Sequence, residues 1–253
     1  MKSFSTVIST ACLLGAGFSG QIWAGGPDRL HLGIGIKAES SIYKTVKDET
    51  QLLPSINAQK NGFYMQGSDI GYRLIENKNI EIGPVISLFE GYGFDQEDMG
   101  QGFKGFATRD SGASYGLLAA FEAEPFTFEI KPMAHSQEGN SLEFAVEHEY
   151  RSRSFLIMSS LFVQHLDKDY TDYYFGVSNA EANNTLNTGV SNAYKATSAT
   201  NVGIEIGAFY ELSPKWLLSA RAEYVKLDSS ISDSPLVDSK SSTSVSTSIS
   251  YRF

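Results

Sequence analysis

Apolar and polar residues alternate over segments of about ten residues, and this alternation constrains the fold more than any other feature of the sequence. The segment 79–89, NIEIGPVISLF, sets isoleucine, proline and leucine against glutamate, glycine, valine and serine. Similar patterns recur in 30–38, 141–150, 201–212 and 215–227. Because successive side chains of a β-strand point to opposite faces, each segment has one apolar and one polar face. The pattern predicts an all-β protein, a transmembrane antiparallel β-barrel.

The connections between the segments fall into two classes. Short connections with turn residues lie at 76–79, 122–125, 151–153 and 212–215. Long polar connections lie at 39–50, 91–110, 167–199 and 228–241. Barrels of the outer-membrane type have short periplasmic turns and long external loops. The long class is therefore predicted to lie outside the cell, with the C-terminus in the periplasm.

The sequence predicts ten to twelve strands, with twelve preferred. A direct count gives an odd number, whereas single-chain bacterial barrels have an even number. The ambiguous stretch is 51–75, where Gly67 and Ser68 could divide one apparent strand into two. The segment 170–177, YTDYYFGV, could be a further strand or part of a loop.

Residues 1–24 are predicted to be a signal peptide, because a short positive start precedes an apolar stretch and a small residue, Ala24. Residues 25–253 then form a single barrel domain in the bacterial outer membrane. After the signal segment, no apolar run is long enough for a membrane-spanning helix. The formal net charge of −9, without a basic cluster, argues against a nucleic-acid partner.

Charged residues on the polar faces are predicted to line the lumen. The candidates are Glu81, Glu122, Glu129, Glu143, Glu147, Glu205, Arg221 and Glu223. Acidic residues outnumber basic ones on these faces, which allows two interpretations. Small barrels fill their interior with side chains, so the charges could form a paired, packed lumen. Rings of carboxylates also select cations, so they could instead line a narrow cation-preferring passage.

Several polar and aromatic groups are candidates for a functional site. His135 and Ser136 precede Glu138, but adjacent strand residues point in opposite directions and would not form a base–nucleophile pair. The histidines lack metal-ligand spacing. The sequence therefore predicts no catalytic residues, no metal site and no cofactor. The aromatic residues of 170–175 could form a membrane girdle, an exposed binding surface or a loop core.

The last segment, 244–253, alternates serine or arginine with apolar residues and ends in SYRF. Tyr251 and Phe253 are predicted to face lipid in an aromatic girdle. This ending also resembles the C-terminal signal that the barrel-assembly machinery recognises. Outer-membrane lipid and that machinery are thus predicted partners.

Two loop motifs, YYFGVSNAEA (173–182) and DSPLV (233–237), precede this last strand. At this spacing, with a tyrosine-bearing segment around Tyr194 between them, they resemble the MipA/OmpV (MltA-interacting protein) family. The residues that carry the resemblance are Tyr174, Phe175, Gly176, Val177, Ser178, Asp233, Ser234 and Pro235.

The resemblance implies an outer-membrane β-barrel without enzymatic activity. For some members it implies a scaffold that brings a lytic transglycosylase together with a murein synthase. We therefore expect a scaffold or interaction protein. The alternatives are a small cation-preferring, porin-like channel and a surface adhesin or antigen that acts through loop 167–199.

Overall fold

The computed structural model describes residues 29–253, and the predicted signal peptide lies outside the described residues. Thirteen strands in this range form one sheet. They are β1 Arg29–Glu39, β2 Glu49–Lys60, β3 Phe63–Gln66, β4 Asp69–Tyr72, β5 Ile75–Glu76, β6 Ile80–Glu90, β7 Gly112–Ala123, β8 Phe126–His135, β9 Asn140–Ser152, β10 Phe155–Leu166, β11 Ala199–Ser213, β12 Trp216–Lys226 and β13 Ser241–Arg252. The all-β prediction is confirmed.

The sheet closes into a barrel in which neighbouring strands are antiparallel. Sequential strands are neighbours, the last strand β13 pairs with β1, and β4 pairs with β6. The two-residue strand β5 continues β4 along the same partner, β6, so that β4 and β5 act as one interrupted strand. The barrel is therefore twelve-stranded, as preferred from the sequence.

The ambiguous stretch is divided at Gly67 and Ser68, where β3 turns into β4. Gly67 has a φ of +59°, which favours glycine. The hairpin is short, and β2 pairs with β3 only from Asn57 to Lys60. Ile56 O accepts the Gly67 N–H, so the backbone polar groups of Ile56 point toward β3. Those of Pro54, two residues earlier, point in the same direction, beyond the end of the short hairpin. Pro54 has no N–H, which leaves one donor fewer at this open edge.

Large apolar side chains cover the outside of the barrel. Ile34 and Ile36, for example, are each 51% exposed, and Leu161 is 61% exposed. Further outward residues of this kind are Leu117, Phe121, Ile130, Phe144, Ile204, Trp216 and Val245. An apolar exterior with charges inside inverts the arrangement of a water-soluble protein and suits a hydrocarbon surrounding.

The connections divide between the two rims as predicted. Short turns join most strands at the rim that holds the C-terminus, and the long loops 40–48, 91–111, 167–198 and 227–240 lie at the other rim together with the short turn 136–139. The long loops contain α1 Lys168–Phe175, α2 Asn179–Ala182, α3 Ser229–Ser232 and a 3₁₀ turn, Gln96–Asp98. The alternative of a strand at 170–177 is wrong, since most of this segment is helix α1. No helix within 29–253 has the length and apolarity to cross a membrane.

Candidate functional site

The external loops pack into a hydrophobic core that covers one end of the barrel, which we call the cap. Its buried residues include Tyr43, Tyr92, Phe106, Tyr174, Phe175, Val190, Ile231 and Leu236. Ala145 and Phe162 point inward from β9 and β10 and join the same core. The loops thus form a folded unit that is seated on the external end of the lumen.

The motif residues meet inside this cap. Tyr174 and Phe175 are buried on helix α1, and the hydroxyl of Ser234 donates a 2.7 Å hydrogen bond to Phe175 O. Val177 pairs by its backbone with Tyr194. This arrangement brings the two motif loops, 59 residues apart at Phe175 and Ser234, into direct contact.

The other motif residues end or begin the short helices beside this contact. Gly176 closes α1, and Ser178 caps α2 with a reciprocal hydrogen-bonded pair to Glu181. Asp233 follows α3, and Pro235 is half-buried beside Ser234. These residues therefore build the cap, with Ser178 and Asp233 exposed at its surface.

The first external loop also enters the cap. The Tyr43 hydroxyl donates a 2.6 Å hydrogen bond to Tyr92 O, and Tyr43 pairs by its backbone with Val237. The N–H of Lys44 bonds Leu236 O at 2.8 Å, so the pairing of β1 with β13 continues above the sheet. The cap therefore joins the first and last loops of the barrel.

The aromatic cluster of 170–175 is part of this core. Tyr170, Tyr174 and Phe175 are at most 3% exposed, and Tyr92 packs against all three rings. Of the three interpretations, the girdle and the exposed binding surface are wrong for these buried rings, and loop packing is confirmed. The sequence pattern did not distinguish them because burial here depends on loops distant in the chain.

Carboxylates hold the helices of the cap in place. Asp167 accepts the N–H groups of Tyr170 and Asn140 at 2.9 Å and 2.8 Å. Burial alone would raise the pKa of Asp167, but these hydrogen bonds lower it below its ordinary value. Burial alone would also raise the pKa of Glu181. Hydrogen bonds from the Ser178 N–H and hydroxyl and from Arg109, at 2.8 Å, lower it below its ordinary value.

The predicted lumen residues face the barrel interior. Glu129, Glu147, Glu205 and Glu223 are at most 9% exposed, and Glu205 lies 2.8 Å from Arg221. Their cross-strand pairs place them on one continuous inner face, together with Glu81, Glu122 and Glu143. The lumen therefore gathers carboxylates from β6 to β12.

The lumen also holds charges that the alternation did not predict, namely Asp69, Arg73 and Glu90. Lys131 forms a 2.9 Å ion pair with Asp69, and Arg73 lies 3.0 Å from Glu81. Asp69 belongs to the short hairpin that the alternation left ambiguous, and Arg73 follows it directly. Glu90 follows a register shift in β6, which breaks the period of two. These local irregularities hid the three residues from a pattern search.

His135 and Ser136 have separate hydrogen-bond partners. His135 Nε2 lies 2.9 Å from the hydroxyl of Ser141, whereas the Ser136 hydroxyl accepts the Ala113 N–H. Glu138 is exposed. Tyr170 packs edge-on against the imidazole with ring centres 4.6 Å apart, which makes His135 part of the contact between lumen and cap. Within 29–253, no three His, Cys, Asp or Glu side chains are grouped to hold a metal ion.

Three cavities lie along the inner face of β13 and its neighbours. The external cavity, about 130 Å³, is lined by Glu39 and Ser242 beneath the first loop. The middle cavity, about 220 Å³, is lined by Lys37 and by serines of β13. The periplasmic cavity, about 80 Å³, is lined by Arg252 and further arginines. Together they span the barrel from the cap to the opposite rim.

The end of β13 bears an aromatic cluster on its outer side. The ring of Tyr251 lies 5.1 Å from that of Trp216 and 5.0 Å from that of Phe253. Phe253 is 74% exposed. The cluster sits at the periplasmic rim, where an aromatic girdle contacts lipid headgroups.

The family model described as "MltA-interacting protein MipA" matches residues 32–253. The chain is 25% identical to the putative outer membrane protein YiaT of Escherichia coli K12, over 88% of this chain and 91% of that protein. It is 23% identical to the MltA-interacting protein of the same strain, over 89% and 90%. These relatives and the barrel fold place the chain in the bacterial outer membrane.

Solved barrels share the fold at low sequence identity. An outer membrane channel from Pseudomonas putida F1 superposes with a TM-score of 0.50 and 10% identity, over 94% of this chain and all of that one. The translocator domain of the autotransporter NalP from Neisseria meningitidis also gives 0.50, with 11% identity, over 90% and 89%.

Proposed function

The chain belongs to the MipA family of MltA-interacting proteins, and on this premise we propose that it is a non-enzymatic scaffold for murein-processing enzymes. The proposed partners are a lytic transglycosylase and a murein synthase, both of which act in the periplasm. The name of the Escherichia coli relative supports a partner of the first kind. The periplasmic rim is thus the surface available to them.

The observation that carries this proposal is an arginine cluster at that rim. Arg29, Arg151, Arg153 and Arg252 surround the periplasmic cavity, although they come from three separate parts of the chain. Arg151 is 57% exposed in its side chain. Arginine forms bidentate hydrogen bonds to carboxylates, so the cluster suits an acidic patch on a protein partner.

The position of the motifs supports the same conclusion. Because Phe175 and Ser234 are buried in the cap, they are not available to a partner. We infer that the family motif preserves the cap, while the periplasmic turns carry the partner contacts.

Binding of a lytic transglycosylase of the MltA type tests the proposal. The protein purified from outer membranes is placed in nanodiscs, and enzyme binding is measured by biolayer interferometry at low and physiological salt. The Arg151→Glu, Arg153→Glu variant should lose binding. The matched control, Lys168→Glu with Lys195→Glu, reverses two exposed charges on the external side and should bind normally. Equal binding by both variants would remove the arginine cluster from the proposal.

The second candidate function is a small porin-like channel, and the three cavities favour it. A lumen with more carboxylates than bases is difficult to keep dry, because unpaired charges are costly to bury. A cation-preferring passage is one of the two interpretations of the lumen charges, and the arginines at the periplasmic end oppose it. Planar-bilayer conductance with ion-selectivity measurement tests this candidate, and a steady current from the folded barrel would support it.

Two further predictions concern an external loop and the C-terminal residues. An adhesin would act through loop 167–199, and trimming of 179–199 should then abolish surface binding while the barrel stays folded. Tyr251 and Phe253 are proposed as the assembly signal. Phe253→Ala should slow insertion by the barrel-assembly machinery, which pulse-chase measurement of the heat-modifiable form would detect.

A further inference from the structure

The three cavities follow the seam between β1 and β13, where the inward side chains are the smallest of the lumen. On β1 these are Gly33 and Gly35, which pair with Ser250 and Ser248 of β13. The inward face of β13 is serine at every position from Ser242 to Ser250. Glycine and serine fill little of the lumen, so space remains along this seam. The repeated GIGI and SVSTSIS segments are thus the sequence origin of the cavities.

The cavities are consecutive along this seam. On β13, Ser242 lines the external cavity, Ser244, Ser246 and Ser248 line the middle cavity, and Arg252 lines the periplasmic one. On β1, the corresponding order is Glu39, then Lys37, then Arg29. One face of the same two strands therefore runs through all three spaces in the same order.

Two constrictions separate the cavities. Lys37 and Glu39 form a 2.7 Å ion pair with side chains 11% and 10% exposed, and each lines a different cavity. Phe209 and Leu217 line both the middle and the periplasmic cavity and form an apolar neck. A route through the barrel would thus pass one charged and one apolar constriction.

The fixed charges along this line change sign. The external cavity is lined by more acidic side chains, among them Asp98 and Asp110, than basic ones, which are Lys47 and Arg109. The periplasmic cavity holds four arginines and Glu211. An anion is repelled at the acidic external end, and a cation is repelled at the basic periplasmic end.

The middle cavity offers hydroxyls between these ends. Ser219 and Ser248 lie 2.6 Å apart, and the Ser248 hydroxyl donates toward Ser55 at 3.4 Å. A hydroxyl both donates and accepts, so a row of serines can exchange hydrogen bonds with a solute that carries many hydroxyls. Such contacts are weak and repeated, which favours passage over tight binding.

We propose that the serine face of β13 forms a narrow route for small uncharged polyhydroxylated solutes, with Lys37–Glu39 as its external constriction. This inference rests on the second candidate function, the channel, and does not depend on the scaffold. It specifies the route, the solute class and the point of control.

Liposome swelling tests the route. The protein purified from outer membranes is reconstituted, and swelling rates are compared for erythritol, xylitol and mannitol and for the charged analogues gluconate and N-methylglucamine. We expect swelling with the polyols, decreasing with size, and slower swelling with both charged solutes. Preferential passage of N-methylglucamine would overturn the solute class in favour of a cation channel.

Ser248→Phe fills the middle cavity and should reduce the polyol rate to that of protein-free liposomes. The matched control is Ser159→Phe, whose side chain points to the lipid. Heat-modifiable migration on gels verifies folding of each variant. An unchanged rate for folded Ser248→Phe would overturn the route.

A cysteine variant keeps the test decisive if Ser248→Phe does not fold. The only cysteine of the chain, Cys12, lies in the predicted signal peptide, so Ser246→Cys adds a single thiol to the barrel. A methanethiosulfonate reagent should then block swelling, and no effect after confirmed labelling would overturn the route.

The double variant Lys37→Met, Glu39→Gln removes the ion pair and should increase the swelling rate. A rate equal to that of the wild type would overturn the constriction.

No polyol swelling by folded wild-type protein would overturn this inference and, together with silence in the bilayer, the channel. The transglycosylase-binding experiment would be unaffected, so failure of the route and failure of the scaffold are distinguishable.

Discussion

The cap and the lumen are neighbouring regions of one barrel that are stabilised in opposite ways. The cap is an apolar core of loop residues such as Phe106, Phe175 and Leu236, each fully buried. The lumen is held by ion pairs such as Glu205–Arg221 and Asp69–Lys131. Burial of apolar surface is non-directional and additive, whereas buried charges are stable only with their partners. The external loops thus contain most of the large apolar core, whereas the barrel interior holds only small apolar clusters such as Leu156 with Met158.

The largest effect is expected in the cap. Phe175→Ala removes a fully buried ring and should destabilise the cap by about 3–5 kcal/mol. Protease cleavage within 167–198 should increase, while heat-modifiable migration of the barrel persists. The control Phe144→Ala removes a lipid-facing ring, which lipid chains replace, and should leave cleavage unchanged. Loss of the barrel together with the cap would show that the two regions are not separate.

Breaking an ion pair of the lumen should have the next largest effect. Arg221→Met leaves fully buried Glu205 without its partner and should cost about 2–3 kcal/mol, because about a third of Arg221 remains exposed. Thermal unfolding in detergent measures this loss. The double variant Glu205→Gln, Arg221→Met should be more stable than Arg221→Met alone. The opposite order would contradict charge pairing as the stabilising contact of the lumen.

A smaller effect is expected at the contact between the two motif loops. Ser234→Ala removes the hydrogen bond to Phe175 O and the acceptor for the Leu236 N–H, at a cost of about 1–2 kcal/mol. Hydrogen exchange of Leu236 and Val237 should become faster. Ser232→Ala in the same loop changes a half-buried serine and serves as the control. Equal exchange in both variants would argue against a structural role for this motif serine.

The smallest effect is expected at the start of helix α1. Asp167→Ala removes its N-cap, at a cost of about 1 kcal/mol. Because the folded pKa of Asp167 is below its ordinary value, its stabilisation is complete above pH of about 4 and is lost as the pH falls through the folded pKa. Asp167→Asn retains a capping side chain and should lose this pH dependence. Hydrogen exchange of 168–175 at pH 6 and pH 3 tests both variants.

The barrel wall was predictable from the sequence, and the cap was not. Lipid outside and charge inside impose a period of two on each strand, so Glu147 and Glu205 could be assigned to the inner face from local sequence alone. Glu90 was missed because the register shifts before it. The cap has no such period, since the burial of Tyr174 depends on Tyr43 and Tyr92, which are distant in sequence.

The candidate sites were also only partly predictable from the sequence. The lumen candidates were found from alternation, but Arg73, which pairs with Glu81, and Asp69, which pairs with Lys131, lie on or beside a hairpin too short to show it. The motif residues were found by resemblance, and their mutual contact through Ser234 and Phe175 required the tertiary structure.

The continuation of the β1–β13 pairing into the cap has a consequence for the order of folding. Ser40 bonds Thr243, and Ile42 bonds Asp238, across nearly the whole length of the chain. Forming contacts of such high sequence separation costs a large loop-closure entropy as long as the strands between them are not assembled. Once β1 and β13 have joined, the two loops are held side by side and that entropy has already been lost. The cap is therefore the last unit to form, and its protection from protease reports that the ring of strands has closed.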